Sequence, residues 1–128
     1  SDGKVTTIGT TEFSSNEFAD EISCGSSYLD FDAPQLYYRV HLKAGTTYRV
    51  AMLPESHTNL DLYAFPASSA CLAAAINSSC EDHLSKDTGS GQIETIDISP
   101  LKDEDWVIAI DSSFPTDQGA FELSIIAL

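Results

Sequence analysis

Residues 36–42, Leu-Tyr-Tyr-Arg-Val-His-Leu, run through Lys43-Ala44-Gly45-Thr46 into residues 47–53, Thr-Tyr-Arg-Val-Ala-Met-Leu. The reading of this stretch decides the fold. Tyr38, Val40 and Leu42 alternate with Tyr37, Arg39 and His41, the period of two that sends successive side chains to opposite faces of a strand. After the turn, Tyr48, Val50 and Met52 face in, while Thr47, Arg49 and Ala51 face out. The connection is short enough for an antiparallel hairpin, with Gly45 supplying a positive φ at no steric cost. Pairing of that kind predicts one exposed face shared by Tyr37, Arg39, His41 and Arg49. Tyr63 joins them if its strand, residues 60–65, lies in the same sheet. Two of the chain's six basic residues would then sit among aromatics, the residue types that carry interface energy.

Further strands are expected at 93–98, 106–111 and 120–127, divided by turn segments at 100–105 and 112–119. Residues 106–110, Trp-Val-Ile-Ala-Ile, are apolar on both faces, which predicts a central strand covered on both sides. Residues 1–11 read as an N-terminal linker or an edge strand, and residues 12–128 as the domain proper. Residues 16–22 fit either one helical turn or a short strand. Residues 66–77 have the helix propensity of about two turns, with Ser68 or Ser69 as cap and Asn77 as stop. Short strands, frequent turns and one small helix predict an all-β, antiparallel β-sandwich.

A chain of 128 residues suits one domain with one core. Its charge is the unusual quantity: 20 acidic against 6 basic residues, formally −14. That balance repels nucleic-acid phosphates and anionic membranes. It suits a solvated surface, and it is compatible with a hard cation such as calcium. No apolar run reaches the ~20 residues that a membrane-spanning helix needs, so membrane insertion is not expected. Cys71 and Cys80 lie in one loop, where a bridge would close about ten residues and add roughly 2–3 kcal/mol. The expected helix would then sit in a disulfide-closed loop. Cys24 is left over: a buried free thiol, a partner for a cysteine outside this chain, or a competitor for Cys71 or Cys80. A disulfide, few lysines and many Ser and Thr point to a secreted or extracytoplasmic location.

Catalysis lacks its signatures. There is no Gly-x-Ser-x-Gly elbow, no His-Glu-x-x-His helix and no Cys-x-x-Cys pair, and His41, His57 and His83 are scattered. The expectation is a protein that is not an enzyme.

Four short motifs keep a recognisable order: Tyr38-Arg-Val with Leu42-x-Ala-Gly45-Thr-Thr-Tyr48-Arg-Val50; Leu60-Asp61-Leu-Tyr63; Trp106-Val-Ile-Ala-Ile-Asp111; and Gly119-Ala-Phe-Glu-Leu-Ser-Ile125. Together they resemble the bacterial pre-peptidase C-terminal (PPC) domain, a family that includes the collagen-binding modules of clostridial collagenases. The resemblance covers residues 12–127. It implies a jelly-roll-like sandwich that serves as a non-catalytic, secreted accessory module and binds an extracellular protein or a polysaccharide. A carbohydrate-binding module on a similar sandwich, marked by exposed aromatics including Trp106, and a purely structural or folding-assistance domain of an exported hydrolase are the alternatives. It also implies that Asp61 accepts hydrogen bonds in the adjoining loop and that Asp111 ends its strand. The one cofactor it brings in is calcium, which some members bind near the start of the domain. Here Glu12, Asn16, Asp30 and Asp32 would be the ligands, although Ser14-Ser15 stands where the family's motif has a proline before Asn.

Overall fold

The computed structural model describes residues 4–10, 36–56, 58–69, 76, 80, 83–85, 91–111 and 119–128. Among them are eight strands: β1 (Lys4–Thr10), β2 (Leu36–Leu42), β3 (Tyr48–Pro54), β4 (Asp61–Pro66), β5 (Leu84–Ser85), β6 (Glu94–Ile98), β7 (Glu104–Asp111) and β8 (Ala120–Ala127). They form two four-stranded sheets with orders β1-β8-β3-β6 and β2-β7-β4-β5, here sheet I and sheet II. The described pairings are antiparallel throughout. Successive strands from β1 to β4 change sheet at every step, which gives the interlocked order of an eight-stranded jelly roll.

The core lies between the sheets and follows the alternation read from the sequence. On sheet II, Val40 stands opposite Trp106, and Ile108 stands between Tyr38 and Ala64. On sheet I, Val50 stands between Ile96 and Ile125, and Met52 beside Leu123. Strand β7 is central, as its composition requires, and residues 106–111 are buried on both faces. Its second face needs a second cover. Val107 and Ala109 pack with Tyr63, Phe65, Ile76 and Cys80 in a smaller cluster outside sheet II, against which Tyr37, Ala67 and Leu84 also pack.

The expected hairpin between β2 and β3 does not form. Strand β2 pairs along its whole length with β7, while β3 is flanked on both sides by β6 and β8. Residues 43–47 therefore cross from one sheet to the other instead of folding one sheet back on itself. The loop length and the positive φ of Gly45 (80°) fit both connections. What separates them is competition for partners, because β3 has no open side and β7 needs neighbours. The crossing is held by the Lys43 N–H donating to Tyr48 Oη (3.1 Å) and the Ala44 N–H donating to Asp103 Oδ1 (2.8 Å). The Leu128 N–H also donates to the Thr47 carbonyl (2.8 Å).

The expected short helix in a disulfide-closed loop is not established by the described residues. A 3-10 turn at Ala67–Ser69 follows β4, and Ile76 and Cys80 have helical backbone, but the rest of that segment lies outside the described set. Cys80 is buried and disulfide-bonded. Its partner lies outside the described residues, as do Cys24 and Cys71.

Where β1 faces β2 the sheets meet closely. The Tyr38 ring packs edge-on against Phe121 (centroids 6.2 Å apart, 88° between planes). A Cβ placed on Gly9 would stand 2.5 Å from Tyr38 Oη and 2.8 Å from the Phe121 ring. Gly9→Ala should therefore destabilise the protein by about 1–3 kcal/mol, the usual cost of overpacking, read as a lower urea midpoint. Adding Tyr38→Phe should recover part of the loss. An unchanged midpoint for Gly9→Ala would contradict this packing.

Candidate functional site

The outer face of sheet II carries three cross-strand rows. Tyr37, Ala109 and Tyr63 form the first, Arg39, Val107 and Phe65 the second, and His41 with Asp105 the third. The cover that includes Ile76 and Cys80 closes over the first row and half of the second. Tyr63 is fully buried there, with its ring stacked near Phe65 (6.3 Å, 26°). Its hydroxyl donates to Asp111 Oδ2 (3.3 Å). Burial first, then the neighbouring Asp111 and Tyr37, pushes the Tyr63 phenol well above its usual range. Asp111 ends β7 as expected, and it lies directly across from Asp61, both buried.

Beyond the cover the face is open. The side chains of Arg39 and His41 are 70% and 59% exposed. Asp105 holds both: Arg39 Nε donates to Oδ2 at 2.8 Å, and His41 Nδ1 lies 2.8 Å from Oδ1. The His41 hydrogen bond, and then the one from Arg39, keeps the Asp105 carboxyl below its usual range. An ionised carboxylate can only accept, so the proton of this hydrogen bond sits on His41 Nδ1. Beside this triad lies a groove of about 330 Å³ lined by Arg39, Ala67, Ser68, Lys102, Glu104 and Asp105. Leu101, next to Lys102 in the chain, is 99% exposed.

The single basic-aromatic face read from the sequence is thus divided. Arg39 and His41 stay together, Tyr37 is half-buried beside the cover, and Tyr63 is inside it. Arg49 is on the outside of the other sheet, because β2 and β3 belong to opposite sheets. There it makes a two-pronged contact with Asp97, Nε to Oδ1 and Nη2 to Oδ2, each 2.8 Å. Trp106 is buried in the intersheet core, with the His83 ring 4.9 Å from its own. Asp105 was missed by the sequence reading. It shares the parity of Val107 and Ala109, so the pairing of β2 with β7 is the information that would have found it.

Among the described residues no group of three His, Cys, Asp or Glu side chains could hold a metal ion. The expected calcium ligands Glu12, Asn16, Asp30 and Asp32 lie outside the described residues. No described helix is long and apolar enough to cross a membrane.

No protein-family profile and no curated protein matches this chain. Solved structures do. The PPC domain of a collagenase from Bacillus anthracis is similar over 95% of this chain and 88% of its own, with a TM-score of 0.56 at 11% identity. PliG, a periplasmic inhibitor of g-type lysozyme from Aeromonas hydrophila, is similar over 98% and 84%, with a TM-score of 0.54 at 14% identity. CorA, a surface-associated copper-binding protein of Methylomicrobium album BG8, is similar over 96% and 93%, with a TM-score of 0.56 at 8% identity. The resemblance to PPC domains therefore holds for the fold.

The Asp105 clamp gives a pH signature. Its folded-state pKa is depressed, so its contribution is complete above the ordinary carboxylate range and fades as pH falls through the lowered value. Asp105→Asn should lower the melting midpoint at neutral pH, and the gap from the wild type should close in strong acid. A carboxyl-carbon NMR titration should place Asp105 below a free aspartate. A normal titration would remove the clamp.

Proposed function

We propose that the protein is a non-catalytic, extracytoplasmic accessory module that binds an extracellular protein through the open end of sheet II. One observation carries the reading: the cover over sheet II stops at Tyr37, leaving Arg39 and His41 exposed and oriented by Asp105 beside a groove. Preorganised Arg side chains are common interface anchors. Leu101 supplies an apolar contact at the same end. A protein partner fits better than a sugar chain, because sugar binding usually wants an aromatic platform and Tyr63 and Trp106 are both buried. The non-catalytic reading rests on the missing sequence signatures together with the PPC-like fold. The extracytoplasmic reading draws on the disulfide at Cys80 and on neighbours described as periplasmic and surface-associated.

A panel of immobilised extracellular-matrix proteins and insoluble polysaccharides tests this. Wild type should bind a protein and no polysaccharide. Arg39→Ala with Leu101→Ser should weaken binding about tenfold or more, with the melting midpoint lowered no further than by Asp105→Asn and the protein still folded. Undiminished binding by the double variant, or capture by polysaccharide alone, would overturn the reading.

Two chemical expectations belong to the same module. The bridge is proposed to join Cys71 to Cys80, so mass mapping after alkylation should find one free thiol, at Cys24; a Cys24–Cys80 peptide would refute it. Calcium at Glu12, Asn16, Asp30 and Asp32 would raise the melting midpoint in millimolar calcium over excess chelator. Identical midpoints would remove calcium from the account.

A further inference from the structure

On the β1–β2 side of the sandwich, the two sheets part around a cavity of about 210 Å³. Its walls come from both sheets: Tyr38, Val40 and Ile108 from sheet II, and Val50, Leu123 and Ile125 from sheet I. Thr7, Ser124 and Arg39 supply the polar groups of its rim, and Thr7 is exposed. The gap has a local cause. At the level of Gly9 the Tyr38 ring reaches across to Phe121 and fixes the distance between the sheets. One row along, β1 offers Thr7 and β2 offers Val40, both too short to fill that distance.

The apolar walls of this half-open cleft lack neighbours on one side, and a ligand seated there would supply those contacts. Water fills it poorly, since the walls offer few hydrogen-bond partners. An apolar cavity of about 150 Å³ already accepts benzene, and this one is larger, yet too small for a peptide segment with its backbone. We propose that the cavity is a binding site for a small, mostly apolar molecule, a single aromatic ring or a short acyl chain. Its apolar body lies against Val40, Ile108 and Ile125, and any polar end sits at the Thr7, Ser124 and Arg39 rim. The site shares Arg39 with the protein-binding face, but its apolar walls belong to the space between the sheets, so it does not depend on that reading.

The whole chain, labelled with ¹⁵N and methyl ¹³C, is titrated with toluene and separately with hexanoate. Shift changes should saturate and concentrate on Thr7, Val40, Val50, Leu123 and Ile125, and the melting midpoint should rise by several degrees at saturation. Toluene alone binding marks a purely apolar site. Hexanoate binding with salt-sensitive affinity adds the Arg39 charge to the rim. Val40→Phe, which puts a ring into the space, should abolish both effects while keeping the unliganded spectrum folded. If that variant does not fold, the wild-type titration still decides. No saturable shift with either probe, or shifts spread over the outer faces, would overturn the proposal.

Discussion

Strand β7 must be covered on both faces, and the rest of the structure follows from that demand. Trp106, Ile108 and Ile110 fill the space between the sheets, while Val107 and Ala109 point the other way and are equally apolar. A sandwich supplies the first cover automatically. The second, among the described residues, is built from Tyr63 and Phe65 of β4 together with Ile76 and Cys80. The same demand places β7 between β2 and β4 and so draws β2 away from β3. Burying a side chain of Val, Ile or Phe size contributes roughly 1.5–3 kcal/mol, enough to decide between two turns of equal quality.

The open end of sheet II is the residue of that arrangement. The outer cover protects the rows that begin with Tyr37 and reaches Phe65 and Val107, but the β2 end beyond them carries Arg39 and His41, whose charges and polar atoms stay in water. Asp105 sits where β7 changes from apolar to polar, and it can fix both side chains because all three lie on adjacent strands in register. Arg49 and Asp97 repeat the same chemistry on sheet I as an isolated exposed pair. The difference lies in the surroundings: near Arg39 there is a groove, a second cation at Lys102 and an exposed leucine.

Much of the sandwich was legible in the sequence. Alternation located β2, β3, β6 and β8, and the double-sided run at 106–110 marked β7 as central. Partner choice was not legible, since a period of two says which way a side chain points and nothing about which strand lies beside it. That gap produced the false grouping of Arg49 with Arg39. It also hid Asp105, which becomes informative once β2 is known to pair with β7. Tyr63 misled for another reason. Its parity with Tyr37 was read correctly, but an outward-facing tyrosine at the centre of a sheet is open to solvent only if nothing crosses above it, and Ile76 and Cys80 do.

Cross-strand NOEs measured on the folded chain test the central claim, that β2 and β3 belong to different sheets and that Asp105 is thereby brought to Arg39 and His41. The account predicts backbone contacts from residues 36–42 to residues 104–110, and from residues 48–54 to residues 121–127, the two registers found here. Continuous backbone contacts between residues 36–42 and 48–54 would restore the hairpin and put Arg39 and Arg49 on one face. They would also dissolve the site as it is described.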